Sequence, residues 1–119
     1  AKGDYMQFDK DMDGNFAELF LSIRDLILEN NEVSEKLNVH QTSYFVAGRS
    51  ICFLRSDAQK LVLALSFGYK LAEEYDFITG CGKIVRHWNF YTTESPDLVL
   101  IKELIAKSIM YAQEKSSHC

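Results

Sequence analysis

The clearest absence in this 119-residue sequence is a long apolar run. A transmembrane helix needs about 20 consecutive apolar residues, whereas the longest uninterrupted run here is Leu61–Leu65. No positively charged and then apolar leader opens the sequence, so nothing in it predicts secretion. We therefore expect no membrane partner.

Cysteine is scarce as well. The three cysteines, Cys52, Cys81 and Cys119, are odd in number and share no CxxC spacing. A disulfide framework pairs an even number of cysteines, and a zinc knuckle needs closely spaced ones. The sequence therefore predicts reduced thiols and a cytoplasmic location, where such thiols persist.

Basic residues are too few for a protein that binds nucleic acids by neutralising their phosphates. The chain holds 13 Lys and Arg against 17 Asp and Glu, and its net charge is −4. Nucleic-acid-binding domains usually carry a basic excess, because phosphate contacts supply most of their affinity. We therefore expect no nucleic-acid partner.

A complete catalytic motif is missing too. The candidates for a nucleophile or a general base are Cys52, Cys81, His40 and His87. Cys81 and His87 are six residues apart, which is about 20 Å in an extended strand at about 3.3 Å per residue. They cannot pair within one strand, and a contact between Cys81 and His40 cannot be read from the sequence. We therefore favour a binding role over a catalytic one.

Alternating carboxylates near the beginning of the chain suggest a metal site. Asp9, Asp11 and Asp13, followed by a glycine, match the first half of a calcium-binding loop. The twelfth position of such a loop needs a bidentate Glu but is Phe20, and Glu18 comes two residues too early. Two interpretations remain open: a solvated acidic arm, or a site for iron or calcium formed by these three Asp residues and Glu18.

Helical periodicity predicts two amphipathic helices and one short one. Apolar residues recur on one face from about residue 15 to 30, where Asn30 is suited to end the helix. A short helix is predicted over 33–37. The last helix has Ser95 as its cap and Pro96 in its first position.

The middle of the chain has the pattern of strands. The predicted strands cover residues 43–46, 50–54, 60–67 and 83–90, with a helical turn over 71–75. The sequence thus predicts an α+β domain: an antiparallel sheet of about four or more strands with the N- and C-terminal amphipathic helices packed on one face. We place this domain at 14–115, between a flexible acidic arm (1–13) and a frayed tail (116–119).

The sheet is the predicted binding surface. Along the last strand Arg86 and Trp88 share one face, and His87 lies on the other. An Arg among large apolar residues either pairs with a carboxylate or lines a pocket. Aromatic and Arg side chains dominate binding contacts, so the predicted ligand-binding residues are Tyr44, Arg49, Arg86, His87 and Trp88.

Two segments resemble the YdhG-like family of unknown function. These are the hairpin Tyr44-Phe45-Val46-Ala47-Gly48-Arg49 and the strand Gly82-Lys83-Ile84-Val85-Arg86-His87-Trp88-Asn89-Phe90. With the helices before and after them, the resemblance covers about residues 15–115. It implies a small cytoplasmic α+β domain of unassigned role.

Two functions therefore remain open. In the first, the sheet binds a small ligand or a protein partner. The second function is implied by the resemblance, because some members of the YdhG-like family are compared with frataxin-type iron chaperones. In this alternative the chain is a weak iron carrier that uses acidic residues of the arm and the first helix.

Overall fold

The computed structural model describes residues 6–94 and 96–116. Its helices are α1 (Gln7–Asp13), α2 (Ala17–Leu28), α3 (Gly68–Leu71) and α4 (Leu98–Ser116), and its strands are β1 (Ser34–Leu37), β2 (Thr42–Val46), β3 (Arg49–Ser56), β4 (Leu61–Leu65) and β5 (Arg86–Phe90). All neighbouring strands pair antiparallel in the order β1-β2-β3-β4-β5. The predicted α+β class with an antiparallel sheet is confirmed.

Short turns with suitable residues connect the central strands. Ala47 and Gly48 both have positive φ, 53° and 77°, which a two-residue hairpin loop needs. Arg49, which lies between the predicted strands 43–46 and 50–54, is the first residue of β3. In the next turn Oδ1 of Asp57 accepts the backbone N–H groups of Gln59 and Lys60 at 2.8 and 3.0 Å, as Asp commonly does in turns.

One face of the sheet packs against the helices. Residues directly opposite one another in neighbouring strands share a face of the sheet, and successive residues of one strand alternate between the two faces. The register that crosses the middle of this core face joins Thr42, Leu54, Leu63 and Trp88. The fully buried helical residues Phe20, Ile23, Ile27, Ile101 and Leu104 belong to the same apolar cluster as the core-face strand residues. The helices therefore lie on one face, as predicted.

The predicted flexible arm is a helix over its second half. Residues 7–13 form α1, and the ring of Phe8 packs edge-on against Phe20 at 5.6 Å. The Gln7 side chain donates to the carbonyl of Ser56 at 3.0 Å, which fixes α1 to the end of β3. One aromatic contact and polar tertiary contacts hold this helix, so the sequence of α1 has no apolar periodicity that would reveal it. Residues 1–5 lie outside the described residues.

The short helix predicted over 33–37 is wrong, because residues 34–37 form the edge strand β1. Glu35 in this strand accepts hydrogen bonds from Arg24 of α2 and Tyr44 of β2. Pairing with β2 and these contacts outweigh a weak local helix propensity. At the other end, α4 extends to Ser116, and residues 117–119 of the predicted tail lie outside the described residues.

The remaining boundaries differ by a few residues. The first long helix is α2, and Asn30 Nδ2 donates to the carbonyl of Ile27 at 3.2 Å just beyond its end. The helical turn lies at 68–71, earlier than predicted, and the last strand begins only at Arg86. The predicted cap Ser95 is outside the described residues.

Candidate functional site

Tyr44 lies in the core. Its side chain is fully buried, and its hydroxyl donates to Oε2 of Glu35 at 2.9 Å. Burial, and then this bond to a carboxylate, raise the pKa of Tyr44 well above its ordinary value. Glu35 also accepts two hydrogen bonds from the guanidinium of Arg24, at 2.6 and 2.8 Å, and the Arg24 bond is the main cause that lowers the pKa of Glu35. This triad joins β1, β2 and α2.

Arg86 and Trp88 also face the helical side of the sheet. Trp88 is half-buried, and its ring centroid lies 4.4 Å from that of Phe77 and 4.9 Å from that of Phe90. Nε of Arg86 donates to the carbonyl of Gly82 at 2.6 Å, so the side chain holds the preceding loop. Neither residue faces the side that carries His87.

On the opposite side of the sheet, which we call the second face, no helix packs within residues 6–94 and 96–116. By strand register it is formed by Ser34, Lys36, Ser43, Phe45, Ser50, Phe53, Arg55, Val62, Ala64, His87 and Asn89. Phe45 and Phe53 are half-buried and do not belong to the apolar cluster under the helices. The second face therefore has its own apolar centre, which no helix covers in the part of the chain that the structure describes.

The second face is cationic although the chain is acidic. Lys36, Arg55 and His87 lie on it, and none of its residues is Asp or Glu. Lys36 and Arg55 are exposed, and within the described residues neither side chain forms a hydrogen bond or an ion pair. Burial, and then the charges of Arg55 and Lys60, lower the pKa of His87. A negative charge bound near His87 would raise its pKa and so oppose the effect of Arg55 and Lys60.

Phe53 and Arg55 were not among the residues predicted from the sequence. Alternation along 50–54 already places Phe53 and Cys52 on different faces of the sheet. The register then places His87 on the same face as Phe53, because both pair with Ala64. The signal was therefore present, but the sequence does not say which face the helices cover.

The four acidic residues proposed for a metal are not brought together. Asp11 is fully buried, and its Oδ1 accepts from the Gln7 side chain and from both N–H and Oγ of Ser56. Asp9 accepts the N–H of Met6 at the start of α1, and Asp13 and Glu18 are exposed. Among the described residues no three His, Cys, Asp or Glu side chains are grouped so that they could hold a metal ion. The metal site stays a prediction.

The cysteines that were considered as nucleophiles differ in environment. Cys52 is free and buried on the core face, where burial raises the pKa of its thiol. Cys81 is free and exposed in the loop before β5. Of the predicted ligand-binding residues, Arg49 lines a cavity at the end of the β2–β3 hairpin.

Comparisons with known proteins give no relative for this chain. No protein-family model, no curated protein and no solved structure matches it. Within the part of the chain that the structure describes, no helix has both the length and the apolar character needed to cross a membrane. Function must therefore be argued from the surface of the sheet.

Proposed function

We propose that this chain is a binding module whose second face docks an acidic segment of a partner protein. The observation that carries the proposal is a cationic, helix-free sheet face in a chain whose net charge is −4. Because the excess carboxylates lie elsewhere, the second face is the surface to which an acidic segment would be steered.

The residues of the second face are arranged like a small interface. Phe45 and Phe53 supply half-buried aromatic area in the middle, and the exposed cations Lys36 and Arg55 lie around it. Protein interfaces typically combine an apolar centre with a polar rim, and aromatic and Arg residues carry much of their energy. A shallow face of this kind favours a protein segment over an enclosed small molecule.

Fluorescence anisotropy with labelled peptides tests the proposal. The probe is a set of peptides in which glutamates flank a central phenylalanine, and a matched set has lysine in place of glutamate. We expect the acidic set to bind and the basic set not to bind. Arg55→Glu and Phe53→Ser should each weaken binding about tenfold or more, the loss typical of a central contact.

Lys102→Glu provides the matched control for charge. This lysine lies on α4, is 66% exposed and has only a 3.6 Å contact with Glu29. Its reversal changes the net charge as much as Arg55→Glu does, but should change peptide affinity less than about twofold. Equal losses in both variants would reduce the binding to general charge attraction, and no binding of any acidic peptide would refute the proposal.

We also propose that the chain is YdhG-like and cytoplasmic. The order of α2, the hairpin, β4, β5 and α4 supports the first statement, and the two free thiols Cys52 and Cys81 support the second. No specific contact favours the iron-carrier alternative over docking at the second face.

A further inference from the structure

A cavity of about 370 Å³ lies at the end of the sheet where the β2–β3 hairpin meets the beginning of α3. Its lining residues are Gly48, Arg49, Ser50, Ser66, Phe67, Tyr69 and Ile84. Ligand pockets commonly measure roughly 300–1,000 Å³, so this cavity has room for a small molecule. It borders the second face, because Ser50 in its lining pairs with Phe45, but neither Phe45 nor Phe53 lines it.

The polar side of the cavity fits an anion. Arg49 is exposed, and within the described residues its guanidinium has neither a hydrogen bond nor an ion pair. No Asp or Glu lines the cavity. Oγ of Ser50 and Oγ of Ser66 are 2.8 Å apart, so one hydroxyl donates to the other and the second retains a free O–H group. Arg49 and the two serines line the same cavity, and a guanidinium with no partner and a free hydroxyl are both suited to a carboxylate.

The other side of the cavity is apolar and is held in place. Phe67 is buried, Tyr69 is half-buried and Ile84 is 59% exposed. The N–H of Tyr69 donates to the carbonyl of Ile84 at 3.0 Å, which fixes the loop before β5 to α3. An apolar side chain that is exposed at the wall of a preformed cavity gains from a ligand that covers it.

We propose that this cavity binds a small monocarboxylate with an apolar body. The ligand's carboxylate accepts hydrogen bonds from the guanidinium of Arg49 and from a serine hydroxyl, and its apolar part packs against Tyr69 and Ile84. A phosphate monoester carries nearly two negative charges at neutral pH, whereas the lining supplies one cation. The proposal is independent of the docking of acidic segments at the second face.

Titration of the ¹⁵N-labelled protein with benzoate, followed by NMR, tests this site. We expect saturable shifts of the amides of Gly48, Ser50, Ser66 and Tyr69 and of Arg49 Nε. Acetate and benzyl alcohol, which each lack one half of the ligand, should bind more weakly, and so should phenyl phosphate. Phenyl phosphate that binds more tightly than benzoate would overturn the assignment to a carboxylate.

Arg49→Gln should weaken benzoate binding about tenfold, since it removes a charge-assisted hydrogen-bonding pair. Ile84→Ser should weaken benzoate and leave acetate unchanged, because it removes only the apolar wall. Lys102→Gln is the control with the same change of charge and should leave benzoate affinity unchanged. Equal affinity in Arg49→Gln and the wild type, or shifts spread over the whole surface, would refute the proposal. Acidic-peptide binding by Arg49→Gln reports on the second face separately.

Discussion

Replacement of Tyr44 by Phe removes one hydroxyl and leaves the aromatic core intact. That hydroxyl donates to the carboxylate of Glu35 at 2.9 Å from a fully buried side chain. A hydrogen bond to a charged group contributes about 1.5–3 kcal/mol. Oε2 of Glu35 keeps its 2.6 Å bond from Arg24 in the variant, so the carboxylate is not left unpaired. We therefore expect the free energy of unfolding to fall by about 1.5 kcal/mol.

Urea denaturation followed by circular dichroism measures this loss as a lower midpoint at an unchanged slope. Tyr91→Phe is the matched control, because Tyr91 is 65% exposed and its hydroxyl only accepts a 3.4 Å bond from Asn89. Its cost should stay below about 0.5 kcal/mol. Equal midpoints for the two variants would refute the reasoning. Loss of acidic-peptide binding in Tyr44→Phe at unchanged stability would instead make Tyr44 a binding residue.

The same variant has a distinct pH dependence. Hydrogen bonds from Arg24 and Tyr44 lower the folded pKa of Glu35 below its ordinary value of 4.5. A carboxylate of this kind stabilises the fold above its ordinary pKa, and the contribution is lost as the pH falls through the folded pKa. The stability difference between wild type and Tyr44→Phe should therefore be complete at neutral pH and shrink in acid. A difference that stays constant throughout the acid range in which both proteins remain folded would contradict this linkage.

Three further changes test other parts of the molecule. Gly68→Ala should cost about 2 kcal/mol in urea denaturation, because the added Cβ would lie 2.4 Å from Cβ of Arg86; a neutral effect would show that the two backbones do not approach so closely. Acidic-peptide affinity should rise as the pH falls from about 7 to about 5, since the pKa of His87 is lowered in the free protein and a bound carboxylate would raise it. His87→Gln should abolish this pH dependence, and a pH dependence retained in the variant would assign it to another group. Asp11→Ala should reduce the free energy of unfolding by about 2 kcal/mol and so lower the thermal midpoint, because the N–H and Oγ of Ser56 lose their acceptor. A midpoint that rises with calcium or ferrous iron in the wild type alone would instead support the metal site.

The central strands of the sheet could be predicted because the sequence patterns that indicate them are local. Three β-rich runs and a Gly-containing loop indicate β2, β3 and β4, and helical periodicity indicates α2. α1 and β1 were not readable in this way. Their stability comes from contacts with distant residues: Gln7 with Ser56, and Glu35 with Arg24 and Tyr44. Gln7 and Ser56 are 49 residues apart in the sequence, and the periodicity of 34–37 does not indicate that Glu35 contacts Arg24 and Tyr44.

The candidate surface was readable only in part. Alternation separates His87 from Trp88, but it cannot say which of the two faces is covered by helices. Tyr44 and Trp88 are aromatic, so composition alone made them resemble binding anchors, whereas packing places them on the covered side. The cavity beside Arg49 involves Ser66, Tyr69 and Ile84 from three separate segments. Only the folded chain brings them together.

The meander also determines how the chain is assembled. Every strand pairs with its neighbour in sequence, and the two residues between β2 and β3 form the shortest of the connections. The longest is the segment 66–85 between β4 and β5. Closing a short loop costs less chain entropy than closing a long one, and a topology of local pairings folds quickly. The sheet should therefore grow outward from the β2–β3 hairpin, with β5, which carries His87, the last strand to join.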